Sequence, residues 1–526
     1  MAKLPPIIIE SILDGWSPST YQSSEASIDS SIGIDPDLPL TTSGIKASGV
    51  IVPSQYGDFS STGLSDYPMW LVTTPKGSTV YCYTADGELI EYSSALTGAS
   101  ENVIGTTTSG KGNGAAYYNN FIYLTTPTDV SRYGPLDGAA VLTNTVWTGA
   151  TLGSQTAMTD TVYPDLQSIP MPNHTLHVHG DNALYMSDVL DGQGVIHRIK
   201  TKKVTDEGDT DDSTLYNALD LPFGYLPTDI ESWSTDVVIG AIQTTDTTIA
   251  QGKSALFFWE PTDVDSFYRG PVDLPDPIVS ALDNVNGNLR IYSGNAASGT
   301  RVSTYIGGES ISDEVFLEEG TPPFAGAVDA YGNRGVWGTF TTYPEASASV
   351  FSLGSKNVAL PMGVHNIVKT SSSGNNQNVT CLAYIEQTSS AIPRLVVGWG
   401  DDSNKGIDKL DTSATLDTVI RSRVYNIGQK FQINRIRIPL GAAVASNMSI
   451  FPAIYLDDLS SSTVLTGIDT TTQTNSERKA IYEQPDIPDL IGQNNFFIEF
   501  SQEDTAVLPI LFPIIINVET FDNDGP

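Results

Sequence analysis

An all-β fold is predicted for this chain by three observations: an aromatic-rich segment that recurs, a scarcity of charge, and turn residues set between short alternating runs. The recurring segment pairs an Asn or Gly turn with a strand. Its clearest copies are Asn119–Leu124 (NNFIYL), Asp181–Met186 (DNALYM), Gly287–Tyr292 (GNLRIY) and Tyr331–Trp337 (YGNRGVW). Less regular copies fall at Met69–Val72, Asp236–Ile239 and Leu382–Ile385. These make about seven units at a spacing of roughly fifty residues, a period at which β-rich sequence forms propeller blades.

Composition supports the same class. Of 526 residues, 40% are hydrophobic, enough for a sizeable core, whereas only 17% are charged. The polar surface is therefore largely Ser, Thr, Asn and Gly, residues of turns and strands rather than of long surface helices. The length exceeds one ordinary core and implies one large β domain with at least one smaller one.

Three regions follow. Residues 1–65 read as an extended N-terminal arm: Pro5-Pro6, a short apolar run, Gly15-Trp16, a Ser-rich tract and the turn-forming Asp35-Pro36-Asp37. Trp16 favours docking of that arm over a free tail, because a large aromatic is costly to leave in water. Residues 66–410 hold the repeats and are predicted to form the propeller. Within them, Val80–Tyr92 reads as a hairpin turned at Asp86-Gly87. Neither a Trp-Asp repeat nor a kelch double glycine is present, so period and turn chemistry carry the propeller expectation; paired sandwiches or a β-helix are the structural alternatives.

Residues 411–526 lack the repeat and are predicted to form a β-sandwich or jelly roll, with strands over 424–440, 448–456, 494–500 and 507–519. The last of these can be one kinked strand or two short ones. Phe431 and Ile433 share one face, while Ile436, Ile438 and Leu440 have the opposite parity. That change of phase predicts a β-bulge near Asn434.

Charge narrows the function classes. Sixty-one acidic against 26 basic residues give −35, which opposes sequence-specific nucleic-acid recognition over most of the surface. A wall past which DNA slides without sticking is compatible with it. Scarce positive charge is segregated: Arg421, Arg423, Lys430, Arg435 and Arg437 lie in a stretch free of Asp and Glu, and Arg198, Lys200, Lys202 and Lys203 form a second island. In so acidic a chain such islands read as subunit-docking patches, or else as charges paired internally across a sheet.

Other motifs carry less. His174, His177, His179 and His197 cluster, and imidazoles on neighbouring strands can bind zinc, but no acidic or Cys ligand stands at a familiar spacing. No metal site or cofactor is therefore assigned, and half-exposed strand histidines are expected. The acidic loops at 206–212 and 400–404 do not match a calcium-binding loop. Cys82 and Cys381, in the first and last repeats, are expected to be free buried thiols, although ring closure would bring their blades together. The sequence offers neither a signal-peptide pattern nor an apolar run long enough to span a bilayer, so a cytoplasmic origin without membrane insertion is expected. No nucleophile elbow, Walker loop or dinucleotide fingerprint occurs, and an enzyme is not expected.

The C-terminal segments Tyr425–Phe431 (YNIGQKF) and Leu511–Phe521 (LFPIIINVETF) look like endings of structural proteins of environmental tailed phages. The Gly-Trp leader running into a β-rich ring resembles the tail nozzle proteins of short-tailed phages. That resemblance implies a virion structural protein: a propeller in each subunit, six subunits in a ring below the adaptor, contacts with other tail proteins such as fibres, and a bore through which DNA exits. It implies a place in the virion tail, assembled in the host cytoplasm, and it carries over no catalytic residue. Two other readings stand beside it. One is a glycan- or receptor-binding adhesin using Trp233, Trp259, Trp337 or Trp399; the other is a propeller-type glycoside hydrolase, marked by a buried carboxylate pair in a central pocket.

Overall fold

The computed structural model describes residues 2–9, 15–16, 27–32, 34–35, 44–47, 49–51, 64–75, 79–93, 101–108, 112–147, 174–200, 213–243, 253–261, 268–295, 299–317, 322–339, 349–355, 363–369, 378–387, 390–400, 405–411, 418–439, 449–457, 462–464, 468–469, 481–485, 490–503, 510–511 and 514–521. Among these the fold is all-β in many small antiparallel sheets; a 3₁₀ turn occurs at Ala325–Ala327, and there is no α-helix. The chain divides into two compact units. One comprises 51–349 with 370–409; the other comprises 1–50, 350–369 and 410–526.

The larger unit is a series of sheets in chain order. Five are four-stranded and built from consecutive strands, covering 68–106, 114–147, 176–220, 225–273 and 279–317. A sixth opens with the hairpin Val328–Tyr331 and Arg334–Gly338. The seventh joins Asn378–Gln387, Ser390–Gly400 and Lys405–Asp411 to Gly49–Ile51, a strand from the point where the unit begins. Each recurring segment of the sequence falls in a different sheet, giving seven segments for seven sheets.

The turns explain why those segments stood out. Asn119 and Asn120 both have positive φ (46° and 70°) in the two-residue turn joining the first two strands of the second sheet. Asn286-Gly287 (51° and 86°) does the same in the fifth. Asn and Gly tolerate this left-handed backbone, and its twist matches that of the flanking strands. Asp86-Gly87 turns its hairpin as expected, with Leu89 opposite Tyr83.

Apolar side chains fill the spaces between successive sheets. Tyr83, Leu89, Ala115 and Leu124 join the first to the second, Tyr118, Tyr123, Leu184 and Met186 the second to the third, and Tyr185, Ile230, Ile239 and Trp259 the third to the fourth. Phe258, Val279, Leu282 and Ile291 join the fourth to the fifth. Val80, Cys82, Ile385 and Val396 pack the seventh against the first. The first strand of each sheet also lies beside the first strand of the next, in a series that returns from the seventh to the first. Cys82 and Cys381 are both buried, and no disulfide joins them.

Hydrogen bonds fasten each step. They link residues 42 to 64 positions apart, as in Tyr83 Oη to Thr125 O, Tyr118 Oη to Asn182 O, Thr125 Oγ1 to His174 O and Asn284 Nδ2 to Ser232 O. The Thr380 hydroxyl donates to Pro68 O between the seventh sheet and the first.

In the smaller unit, described strands from residues 1–50 complete sheets begun by the C-terminal segments. Ala2–Lys3 and Ile7–Ile9 pair with Ile514–Thr520, and Ser27–Ile32 pairs with Thr418–Ser422. Gly15 pairs with Val364, and a Cβ there would lie 2.2 Å from the Val364 carbonyl oxygen, so only glycine fits. Segment 350–369, inside the span read as propeller, groups with this unit. The closing region forms two short strands, Ile510–Leu511 and Ile514–Thr520. The strand Phe431–Pro439 changes register between Ile433 and Arg435, as the parity predicted. Phe431, Ile433, Ile436 and Ile438 are consequently all buried. Phe431 packs on Phe496 of a second sheet with ring centroids 5.5 Å apart.

Candidate functional site

Within the larger unit, the first strands of five sheets line an open pocket of about 670 Å³. Leu71, Val72, Ala115, Leu176 and Val178 supply apolar wall; Tyr117, His177, Asp329, Tyr331 and Tyr384 supply polar groups. Tyr331 and Tyr384 pack on one another at 5.7 Å between centroids.

Carboxyl groups gather beside it. Asp229 and Glu231 lie on the first strand of the fourth sheet, Asp283 on that of the fifth and Asp329 on that of the sixth. Glu231 Oε1 is 3.7 Å from His177 Nε2. Burial, with Asp329 as a like charge, pushes the Glu231 carboxyl up to about 8. Burial raises Asp329 to about 6. Asp283 is raised by burial and then by Glu231 and Asp329, with Arg290 opposing; Asp229 is raised by burial and by Glu231 and Asp283. Burial lowers His177 to about 4, so its imidazole is neutral at pH 7. Side chains of His177 and Glu231 keep 17% and 20% exposure, which softens both shifts.

Two of these acids have identifiable structural work. Asp229 accepts Ile230 N–H at 2.8 Å and Leu282 N–H of the next sheet at 2.7 Å. Asp329 repeats the arrangement with Ala330 N–H at 2.8 Å and Tyr384 N–H at 2.5 Å. Asp283 differs. It is 8% exposed, and its Oδ2 has no hydrogen-bond partner among the described residues.

Ser232 Oγ lies 2.6 Å from His177 Nε2 and 2.8 Å from His179 Nδ1. With Glu231 alongside, the residue types of a serine triad are present, but hydroxyl and carboxylate address the same ring nitrogen of His177. A triad needs one on each nitrogen, so this is not a proton relay to a nucleophile.

The four clustered histidines separate into two groups and form no metal centre. His177 and His179 share a face, as read from the sequence, and both meet Ser232. His174 and His197 are fully buried, at 2.9 and 3.0 Å from the two oxygens of Asp188. His197 stands opposite Met186, which places it away from His177. His174 and His197 are therefore core groups, not the half-exposed histidines expected, because one buried carboxylate satisfies both. Among the described residues no group of three His, Cys, Asp or Glu is placed to hold a metal ion.

The basic islands divide. Arg198 is 4% exposed and donates to Asp181 at 2.6 Å. Arg421 donates twice to Glu499 Oε2 (2.7 and 3.1 Å) and lies over Phe497. Arg423 lies over Tyr425 and the exposed Lys430 over Phe521. Arg435 and Arg437 are exposed, two residues apart on one strand; Lys200 is half-buried. Lys202, Lys203 and the acidic loops at 206–212 and 401–404 lie outside the described residues. Trp259, Trp337 and Trp399 are buried in the core; Trp233 is half-buried against Phe258 and Tyr305.

The carboxyl cluster was not singled out in the sequence, where acids are abundant. The signal available was positional: Asp229, Asp283 and Asp329 occupy the first strand of three consecutive repeats.

No family model and no curated protein matches the chain. Among solved structures, it is similar to the crystal structure of the computationally designed Ika8 protein, at 13% identity and a TM-score of 0.34 over 68% of this chain and 95% of that one.

Proposed function

We propose that the larger unit is a seven-bladed β-propeller, the smaller one a β-sandwich, and the chain a structural protein of a phage virion. The reading is of a tail nozzle or tail-tube ring component bordering the DNA exit channel. The observation that carries it is the fastening of sheet to sheet. Apolar cores join the sheets at five of the seven steps, cross-sheet hydrogen bonds recur around the series, and Asp229 and Asp329 spend carboxylates on it. Such a body acts as a rigid spacer. Its −35 charge, multiplied around an oligomer, repels passing DNA. Arg437, exposed on its strand, is a cation offered to a neighbour's acid. Electron microscopy of the purified protein and of particles containing it tests the proposal. Rings, with six subunits implied by the nozzle resemblance, are the expected result; a monomer at high concentration that no particle contains overturns it.

A second reading, glycoside hydrolysis, is favoured by the buried carboxyls beside the cavity. A proton donor near pH 8 and an acid near pH 6 are the pair such chemistry uses. Against it, both oxygens of Asp329 already accept backbone N–H groups. Release of reducing sugar from a polysaccharide panel, lost in Glu231→Gln, would decide for it. The adhesin reading loses three of its four tryptophans to the core.

A further inference from the structure

We infer that the open pocket lined by Tyr117, His177, Tyr331 and Tyr384 binds a neutral mono- or disaccharide and leaves it uncleaved. The site goes beyond a spacer role, which needs no ligand, and it uses none of the tryptophans of the adhesin reading.

The backbone supplies the first argument. Each of the five first strands at the pocket pairs on one edge only, with the second strand of its own sheet. In an antiparallel pair every second residue turns its N–H and C=O away from the partner, so these free edges carry donors and acceptors together. Where such groups are satisfied, a side chain does it: Asp329 accepts Ala330 N–H and Tyr384 N–H. Among the described residues no side chain does so for Leu71, Val72, Ala115–Tyr117 or Leu176–Val178.

The side chains then narrow the ligand. A net charge of −35 opposes an anion. A cation needs an uncommitted carboxylate, and Asp329, the acid in the lining, has both oxygens on N–H groups. His177 Nε2 is engaged as well, 2.6 Å from Ser232 Oγ. A wholly apolar ligand would bury the edge donors and acceptors unpaired. What remains is a neutral molecule with an apolar face and a rim of groups that both donate and accept. A pyranose has that form. Its C–H face suits the tyrosine rings and the apolar wall of Leu71, Val72 and Leu176, and its hydroxyls suit the strand edges.

Shape argues for a compact ligand. The pocket measures about 670 Å³, a volume typical of small-molecule sites. No strand contributes more than three residues to it, whereas an extended peptide would follow a single edge.

The experiment is calorimetric titration of the full chain with glucose, galactose, mannose, N-acetylglucosamine, maltose and cellobiose, with glucuronic acid as the charged comparison. At least one neutral sugar should saturate a single site, with the same affinity in low and high salt, and be recovered intact. Glucuronic acid should bind at least about tenfold more weakly. Tyr117→Ala combined with Tyr331→Ala should weaken binding by at least about tenfold, while Trp233→Ala, outside the pocket, should leave it unchanged. No saturable site across the panel, a salt-dependent affinity, cleavage of the bound sugar, equal binding of glucuronic acid, or unchanged affinity in the double variant would each overturn the inference. The salt and glucuronic acid comparisons use wild-type protein and stand even if the double variant does not fold.

Discussion

Asp329 accepts the backbone N–H of Tyr384 from the next sheet, 55 residues downstream, and Asp229 does the same for Leu282 at 53. One side chain thus performs the same fastening at two steps of the series, by reaching past its own strand to a neighbour's backbone. Removing it leaves a buried N–H without an acceptor. Asp229→Ala should cost about 1–3 kcal/mol, read as a lower calorimetric transition temperature. A transition unchanged within error would show that the fastening contributes nothing.

Asp188 presents a sharper case, because it serves two buried imidazoles. His174 Nδ1 lies 2.7 Å from Thr126 O and must donate there, whereas His197 Nδ1 accepts Asn217 N–H at 3.0 Å. Asp188→Ala strands both rings and should cost about 3–5 kcal/mol, as breaking a buried pair does. The same geometry engages these nitrogens without metal, so neither zinc nor a chelator should move the transition temperature; a stabilising shift with equimolar zinc would contradict that arrangement.

Glu231 fixes the sign of a pH effect. Its folded pKa of about 8 exceeds the usual 4.5, so the native state holds the extra proton between those values. Its contribution to stability is full below about pH 4.5 and is lost as pH rises through about 8. Wild-type protein should lose thermal stability from pH 5 to pH 9, and Glu231→Gln should flatten part of that slope. A parallel slope in the variant would place the dependence elsewhere.

Arg437 separates folding from assembly. It is exposed, so its truncation to Ala should leave the thermal transition within about 0.5 kcal/mol of wild type. Under the proposed ring assembly, the same change should weaken oligomers in sedimentation. By contrast, Arg421→Ala removes the doubly bonded partner of Glu499 and should cost stability by about 1–2 kcal/mol.

What the sequence revealed follows from locality. Asn119-Asn120, Asp86-Gly87 and Asn286-Gly287 are legible because a two-residue turn depends on its own backbone angles alone. The bulge between Ile433 and Arg435 was legible because burial imposes parity along one strand. Partners far apart in sequence were not. Nothing in Arg421 points to Glu499, and the Ser-rich tract gave no sign that Ser27–Ile32 would pair with Thr418–Ser422. The carboxyl cluster was hidden for a related reason. Sixty-one acids look alike until the fold brings Glu231, Asp283 and Asp329 to neighbouring first strands.

The pairing of Ala2 with Thr520 sets a condition on biosynthesis. A ribosome adds roughly 5–20 residues per second, so the first strand waits roughly half a minute to two minutes for its partner to emerge. Through that interval its apolar neighbours Ile7–Ile9 present an unmatched strand, a template for pairing with another nascent copy. Yield should therefore depend on how fast the last hundred residues are translated, and slowing them with rare codons should increase aggregation.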